Sequence, residues 1–582
     1  MKKTAFIILT LLTLTGCGES FDTAYDAFQS PLNSIPSVSV QTIPGWQTSP
    51  ATVSGSASDS DNDPLTYRWS EVTSYGVTFS APASTETSVT FTGNDNGDVA
   101  VTAVLRLTVS DGEDESYQDM NLQIYRNDVI FVTPAGTGSG NNPDSPLNGG
   151  SAANLAGAIT YANNSGKKIV ALSAGIYAIS TTPTSPALVL KEGISLYGGF
   201  SPSDWMRNIQ TNESIIRDMN VYTTTAEYGA IRASTGITKL TSLNGIVVEI
   251  GRGSWAIGIL CYSSTGLTVK DCTVRSRTDG SDLNTNQQFG ILLNNCGEVV
   301  IEDCKIAMGA VEYSLNTYSV GIFMGGTGNV TINRNYIYSG ESKTTNSSNT
   351  FAYGINAINI ASSAVLTITN NIISSGISEN GSSSGISINS DGNTTYSFKI
   401  RNNTICVLNP FNKANAACIR ILTSAGSELI ENNVLIATGN SNSYCVFMNA
   451  LHTPDSLRNN LFYIDTTTSN KLIYSNGISF NDLTTTIPVM GTNLLALGNI
   501  TENLPNYVVD YDGPDNDILT LSDNDWHIVK DINTPKNLLY GGIDLSAEVL
   551  FDYDGSRRTN LNALKATNVG AGGFTIGAFE ED

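Results

Sequence analysis

Two side chains suited to an acidic substrate occupy matching places in a recurring phrase: Arg420 in Cys418-Ile419-Arg420 and Tyr474 in Leu472-Ile473-Tyr474. A cation beside a base is what elimination from an acidic sugar needs. The cation holds the developing carboxylate dianion while the base takes the neighbouring proton. Lys270 and Arg334 are further cations in the same stretch. Hydrolysis asks instead for two carboxylates across the scissile bond, and the nearest approach is Asp271 and Asp303, at corner positions one repeat apart. A separate group, Asp59, Asp61 and Asp63 with Asp111, offers hard oxygens to Ca²⁺. The same carboxylates equally serve a turn by accepting backbone hydrogen bonds. Asp510, Asp512, Asp515 and Asp517 also cluster, but without the ligand and glycine spacing of an EF-hand loop. Two His, His452 and His527, and no Cys-x-x-Cys pair argue against a zinc site.

Arg420, Tyr474, Lys270, Arg334, Asp271 and Asp303 lie in the stretch from Ala256 to Leu495, where one phrase recurs. It begins at Gly258-Ile259-Leu260, Gly290-Ile291-Leu292, Gly321-Ile322-Phe323, Gly354-Ile355-Asn356 and Gly385-Ile386-Ser387, and continues in weaker form at Cys418, Cys445 and Leu472. The Gly-type positions lie 27 to 33 residues apart. A fixed period of this size is the signature of a solenoid whose stacked coils share one core. Alternation along each first strand points the aliphatics inward and places Leu260, Leu292, Phe323, Asn356, Ser387, Arg420, Phe447 and Tyr474 in one outward row. Corner positions form a second row: Cys272, Cys304, Asn335, Asn371, Asn403, Asn433, Asn460 and Asn493. An inward Asn there can bond its own turn and the Asn of the next coil. About eight coils would span roughly 40 Å. Polar loops, Arg277 to Gln288, Ala310 to Ser319 and Gly340 to Thr350, enter the outward face. The apolar start of the row at 260, 292 and 323 has two readings: the floor of a ligand groove, or a satellite core beneath the loops.

Composition narrows the partners. Only 14% of the 582 residues are charged, yet the net charge is −23, which argues against nucleic acid or anionic lipid as a charge-driven partner. The density of Gly, Asn, Ser and Thr suits turn-rich β structure. Apart from Cys17, the cysteines fall mostly at inward repeat positions, as small buried hydrophobes. Cys272 and Cys304 occupy equivalent rungs of neighbouring coils.

The remaining segments carry family resemblances. Lys2 and Lys3 precede an apolar run, Ala5 to Leu14, too short to span a membrane. Leu14-Thr15-Gly16-Cys17 resembles the bacterial lipobox, which implies a signal peptide over 1–16, acylation of Cys17 and a tether over 17–34. Several acyl chains anchor stably. Gly18 in place of Asp resembles the sorting signal for an outer-membrane destination. Ile35 to Tyr125 reads as short alternating strands, with Leu65, Tyr67 and Trp69 on one face. Asp59 to Trp69 and Leu107 to Gly112 resemble a polycystic-kidney-disease-type Ig-like module, placed over 35–127. Such modules imply a spacer or binding domain. Val129 to Thr133, a helix over 151–163 and Gly193 to Phe200 resemble the entry to the right-handed, single-stranded parallel β-helix (pectate-lyase-like) family, which the repeat extends over 128–500. Asp552 to Arg558 and Ile576-Gly577-Ala578-Phe579-Glu580 resemble the closing cap of bacterial surface β-helix proteins, over 501–582. Arg557 or Arg558 is expected to pair with Glu580.

The polygalacturonase, pectate lyase and alginate epimerase segments of the β-helix enzymes are missing from this chain. The expectation is therefore an all-β envelope lipoprotein, membrane-held through Cys17. Its β-helix would bind a glycan or a host or matrix protein and require no cofactor. A polysaccharide lyase or glycoside hydrolase and a ligand-free stalk are the alternatives. The sequence fixes no oligomeric state.

Overall fold

A computed structural model of the chain describes residues 33–180 and 188–501, short loop segments excepted, with the strands Val508–Asp510 and Asp525–Ile528. Cys17, His452 and the closing segment with Arg557, Arg558 and Glu580 lie outside the described residues, as do Asp512, Asp515 and Asp517 and the side chains of Asp510 and His527. Two compact units are present: residues 1–92 with 102–124, and residues 93–101 with 125–582.

The first unit is a small β-sandwich of two four-stranded sheets. Ala51–Ser58 pairs antiparallel with Glu86–Thr90 in one sheet, and Thr66–Glu71 with Ala100–Ser110 in the other. Every second residue of the longest strands is buried, as in Ala103, Leu105, Leu107 and Val109, so each sheet has one dry face. Trp69 is fully enclosed and its indole N–H donates to the Ser84 carbonyl at 3.0 Å. Leu65 and Tyr67 are only half-buried, leaving Trp69 as the anchor of that strand.

The second unit is a parallel β-helix. Three long sheets of 12, 11 and 11 strands run its length, and in each the strand of one coil lies beside that of the next. Within a coil the chain passes through the first, second and third sheets in turn. In the coil beginning at Trp255 these strands are Trp255–Tyr262, Gly266–Lys270 and Thr273–Ser276. Equivalent inward positions match coil by coil. In the first sheet they are Ile259, Ile291, Ile322, Ile355, Ile386, Ile419, Val446 and Ile473, all buried. In the five coils from Ile259 to Ile386 a glycine precedes the isoleucine and sits tight against its neighbours, whereas Cys418, Cys445 and Leu472 take that place in the later coils. A Cβ on Gly290 would lie 2.6 Å from the Gly321 carbonyl oxygen and 2.6 Å from Ile306 Cγ2.

The open end of the solenoid is closed by helix α1, Ala152–Asn164, with Ser151 as N-cap accepting from the Asn154 N–H. Leu155, Ala158, Ile159 and Ala162 join the solenoid core. Two of the predicted loops instead contain stacked short strands: Val311–Tyr313, Glu341–Thr344 and Ile377–Ser378 form a further parallel sheet. Coil-on-coil register carries through the connections, and hydroxyl pairs such as Thr317 with Ser342 and Thr350 with Ser378 sit behind them.

Between second and third strands each coil turns through one left-handed residue: Asp271, Asp303, Arg334, Asn370, Asn402, Asn432 or Asn459. The residue after it belongs to the ladder. The backbone N–H of Cys304 donates to Asn335 Oδ1, Asn335 to Asn371, Asn371 to Asn403, Asn403 to Asn433 and Asn433 to Asn460, at 2.9–3.0 Å. The next rung corrects the sequence reading. Asn460 donates to Asn499 Oδ1 at 3.0 Å, so the ladder ends on Asn499 and not Asn493, which lies in the strand Thr492–Asn493. The seven solenoid cysteines are buried thiols.

Asn403 is fully buried with both polar atoms engaged. Asn403→Ala leaves the Asn371 N–H without its acceptor and the Ile368 carbonyl without a donor, both on the preceding coil, and should cost about 2–4 kcal/mol. The measurement is the urea midpoint, with an unchanged slope marking a loss of stability alone.

Candidate functional site

Strand register aligns the outward row residue for residue: Leu260, Leu292, Phe323, Asn356, Ser387, Arg420, Phe447, Tyr474. Its two halves differ. Leu260 and Leu292 are fully buried, and with Ile257, Phe289 and Val320 they form a core of their own outside the solenoid barrel. Trp255, Tyr262, Tyr318, Phe323 and Tyr353 pack around it. The apolar start of the row is therefore a satellite core and not an open groove; in burying these side chains the chain removes apolar area from water.

The second half is polar and aromatic. Phe447 and Tyr474 stack in parallel, centroids 4.6 Å apart and planes within 5°. Arg420 lies over Phe447, its guanidinium carbon 5.0 Å from the ring centroid. Tyr444, on the neighbouring outward row, meets both rings edge-on. Arg420 is 7% exposed. Its Nε donates to Ser384 Oγ at 3.0 Å and its Nη2 to the Asn415 carbonyl at 2.8 Å. A guanidinium has five N–H donors, and no carboxylate among the described residues pairs with this one. Burial lowers its pKa from the usual arginine range. Burial likewise pushes the Tyr353 hydroxyl up to about 12 and raises that of Tyr444, so both keep their protons at neutral pH. The eight first-sheet strands from Trp255–Tyr262 to Lys471–Ser475 contain no Asp or Glu, and only Arg420 and Lys471 as cations.

The other cations are committed elsewhere. Arg334 clamps Asp303 through Nε and Nη2 at 2.7 and 2.9 Å and reaches Glu302 at 2.8 Å. Lys270 lies 3.8 Å from Asp303. These pairs run along the second-sheet corner, away from the first-sheet row. Asp271 and Asp303 sit on that corner too, so they form no hydrolytic pair on the outward row.

In the sandwich, carboxylate oxygens of Asp59, Asp61 and Asp63 come within 4.8 Å of one another. Asp111 is not among them: its carboxylate accepts the Glu113 and Asp114 N–H groups and the Asn33 amide, which hold its pKa low. Asp59 Oδ1 accepts the Asp61 N–H within the turn, Asp61 Oδ2 accepts the Ser34 N–H from the start of the described chain, and Asp59 Oδ2 has no hydrogen-bond partner. The three carboxylates would supply only part of the roughly six to eight oxygens of a Ca²⁺ shell, and two of those oxygens already accept backbone N–H groups.

One buried carboxylate escaped the sequence reading. Asp218 is fully enclosed at the end of a third-sheet strand, Ser214–Asp218. It accepts from the Tyr222 hydroxyl at 2.7 Å and the Asn220 N–H at 2.9 Å. Burial pushes its pKa up to about 6, although those two bonds pull it back. The signal was available: Ser214, Ile216 and Asp218 share one face at period two.

No family model and no curated protein matches the chain. Among solved structures it is similar to a tailspike protein mutant of E. coli bacteriophage HK620, at 13% identity over 56% of this chain and 58% of that one, TM-score 0.27. It is also similar to the A-module of the Azotobacter vinelandii mannuronan C-5 epimerase AlgE6, at 14% identity over 60% and 95%, TM-score 0.26. The fold assignment rests on the strand registers, to which likenesses of this size add nothing.

Asp218 yields a pH prediction. Its folded pKa, about 6, lies above the unfolded value of about 3.9. Its contribution is thus fully present below pH ~4 and lost as pH rises through 6. Asp218→Asn should stabilise the protein at pH 7 by on the order of 2–3 kcal/mol. The gain should vanish near pH 4, as read from denaturation midpoints at both pH values.

Proposed function

We propose that this chain is a lipid-anchored envelope protein whose β-helix binds an acidic glycan on the outer face of its first sheet, in the coils from Tyr353 to Tyr474. One observation carries the reading: Arg420 is buried among aromatic rings and, among the described residues, has no carboxylate partner. A desolvated cation is costly unless an anion meets it, and a ligand carboxylate would supply that anion in the bidentate geometry guanidinium favours. Phe447, Tyr474 and Tyr444 offer ring faces and edges for the C–H faces of sugar units. Binding is favoured over hydrolysis because the described first-sheet strands hold no carboxylates. The Ig-like type of the sandwich, the outer-membrane location and the acylation of Cys17 belong to this proposal as well. Among the described residues no helix is long and apolar enough to cross a membrane.

Calorimetry with hexasaccharides of galacturonate and mannuronate tests the ligand class. At least one should bind, and Arg420→Gln should weaken it about tenfold or more. Absence of binding to both, or equal affinity in the variant, would sink the reading; appearance of unsaturated product would replace it with elimination. For the anchor, Cys17→Ser should move the protein from the detergent phase to the aqueous phase, and continued detergent partitioning would count against acylation.

A further inference from the structure

A cleft of about 610 Å³ opens at the other end of the solenoid, between helix α1 and the loop after the first strand of the unit. Thr137, Ser139, Asn148, Asn154, Gly157 and Tyr161 are among its lining residues, and the volume is in the usual range for a small-molecule site. The loop owes its shape to two glycines. A Cβ on Gly136 would lie 2.4 Å from the Leu147 carbonyl oxygen, and one on Gly138 would lie 2.2 Å from Ser145 Oγ. Glycine therefore lets the loop press against 145–147 and leaves Thr137 and Ser139 exposed.

Helix α1 forms the other wall. Its buried face is spent on the core, and Ala153, Gly157 and Tyr161, each four residues apart, line the cleft. This wall carries no acidic residue in the first turn and no basic residue in the last. No Asp, Glu, Lys, Arg or His lines the cleft, although the chain as a whole has a net charge of −23. Tyr161 is 37% exposed, and its hydroxyl donates to Asn141 Oδ1 at 3.1 Å, which fixes the ring. Asn154 Nδ2 donates to Asn148 Oδ1 at 3.0 Å, and Gly150 N–H donates to the same oxygen at 2.9 Å. The pair is locked in orientation. Asn148 Nδ2 and Asn154 Oδ1 remain as a donor and an acceptor without a protein partner among the described residues.

We infer that this cleft binds a neutral, hydroxylated ring, a pyranose unit of an uncharged glycan, at a site separate from the Arg420 face. The chemistry follows from the lining. A half-exposed aromatic ring takes the apolar C–H face of a sugar. A pre-oriented amide donor and acceptor, with the Thr137 and Ser139 hydroxyls, match ring hydroxyls without desolvating a charge. Absence of fixed charge in the lining discriminates against uronates, which would lose hydration with no cation in return.

The test uses the full chain and saturation-transfer NMR with neutral hexasaccharides of glucose, mannose and galactose, and hexagalacturonate for comparison. At least one neutral probe should receive magnetisation, strongest on ring C–H protons. Gly157→Leu fills the floor, since a Cβ there meets nothing within 4 Å. It also replaces a weak helix former with a strong one, so the fold is retained while Kd rises at least tenfold. Tyr161→Ala should weaken the same probe about tenfold, and Arg420→Gln should leave it unchanged. Silence from all three neutral probes overturns the inference. So does an affinity untouched by Gly157→Leu, or hexagalacturonate competing for the Gly157-sensitive site.

Discussion

The buried amide ladder is the constraint on which the solenoid depends. A chain that turns sharply between its second and third strands leaves a corner N–H pointing along the stack, with no strand partner. Each ladder Asn answers the corner N–H of the coil before it, and its own amide donates to a carbonyl on that coil's second strand. Asn403, for example, receives the Asn371 N–H and donates to the Ile368 carbonyl. An unsatisfied buried donor costs about 1–3 kcal/mol, and the ladder repeats this bond at every coil from Asn335 to Asn499. Because the bond tolerates little displacement, it also sets the coils in register.

Register then dictates what the outer face can be. Once coils are stacked residue over residue, an outward side chain always meets its counterpart about 4.8 Å away. Like residues gather into columns: Leu260 and Leu292 become a dry patch, Phe447 and Tyr474 a parallel ring stack, and Arg420 the next member of that stack. The same rule builds the ion-paired column on the second-sheet corner, where Lys270, Asp303 and Arg334 meet across coils. A single substitution on any outward column therefore changes two contacts, one above and one below.

This explains which parts were legible in the sequence. Inward isoleucines, glycines and the outward row are properties of one coil repeated, and spacing alone reveals them. Burial of Leu260 and Leu292 depends on neighbours remote in sequence, so the groove and the satellite core looked alike. The ladder's end was misread for a related reason. Asn493 lies 33 residues after Asn460, within the established period, whereas Asn499 lies 39 after it. The added length is taken up by the hairpin of Lys471–Ser475 with Ile478–Phe480 and the pair Thr486–Ile487 with Thr492–Asn493. An insertion of that kind shifts the count without disturbing the corner. The Asp cluster was visible as a spacing, but the backbone bonds that occupy Asp111 and most of its neighbours were not.

Arg420 stands apart from the other buried cation among the described residues. Arg401 is about as enclosed, and it meets Glu431 at 3.0 Å. Acidic side chains are abundant, 53 against 30 basic, so a partner for Arg420 would have been easy to place on an adjacent coil. The positions above and below it are instead Ser387 and Phe447. Cation–π contact with Phe447, on the order of 1–2 kcal/mol at a desolvated site, and the hydrogen bonds to Ser384 and the Asn415 carbonyl offset part of the several kcal/mol that burying an ion without a counter-charge costs. Under the proposal above, a ligand carboxylate would supply the missing counter-charge where, among the described residues of the first sheet, aromatic rings stand beside a buried cation with no carboxylate partner.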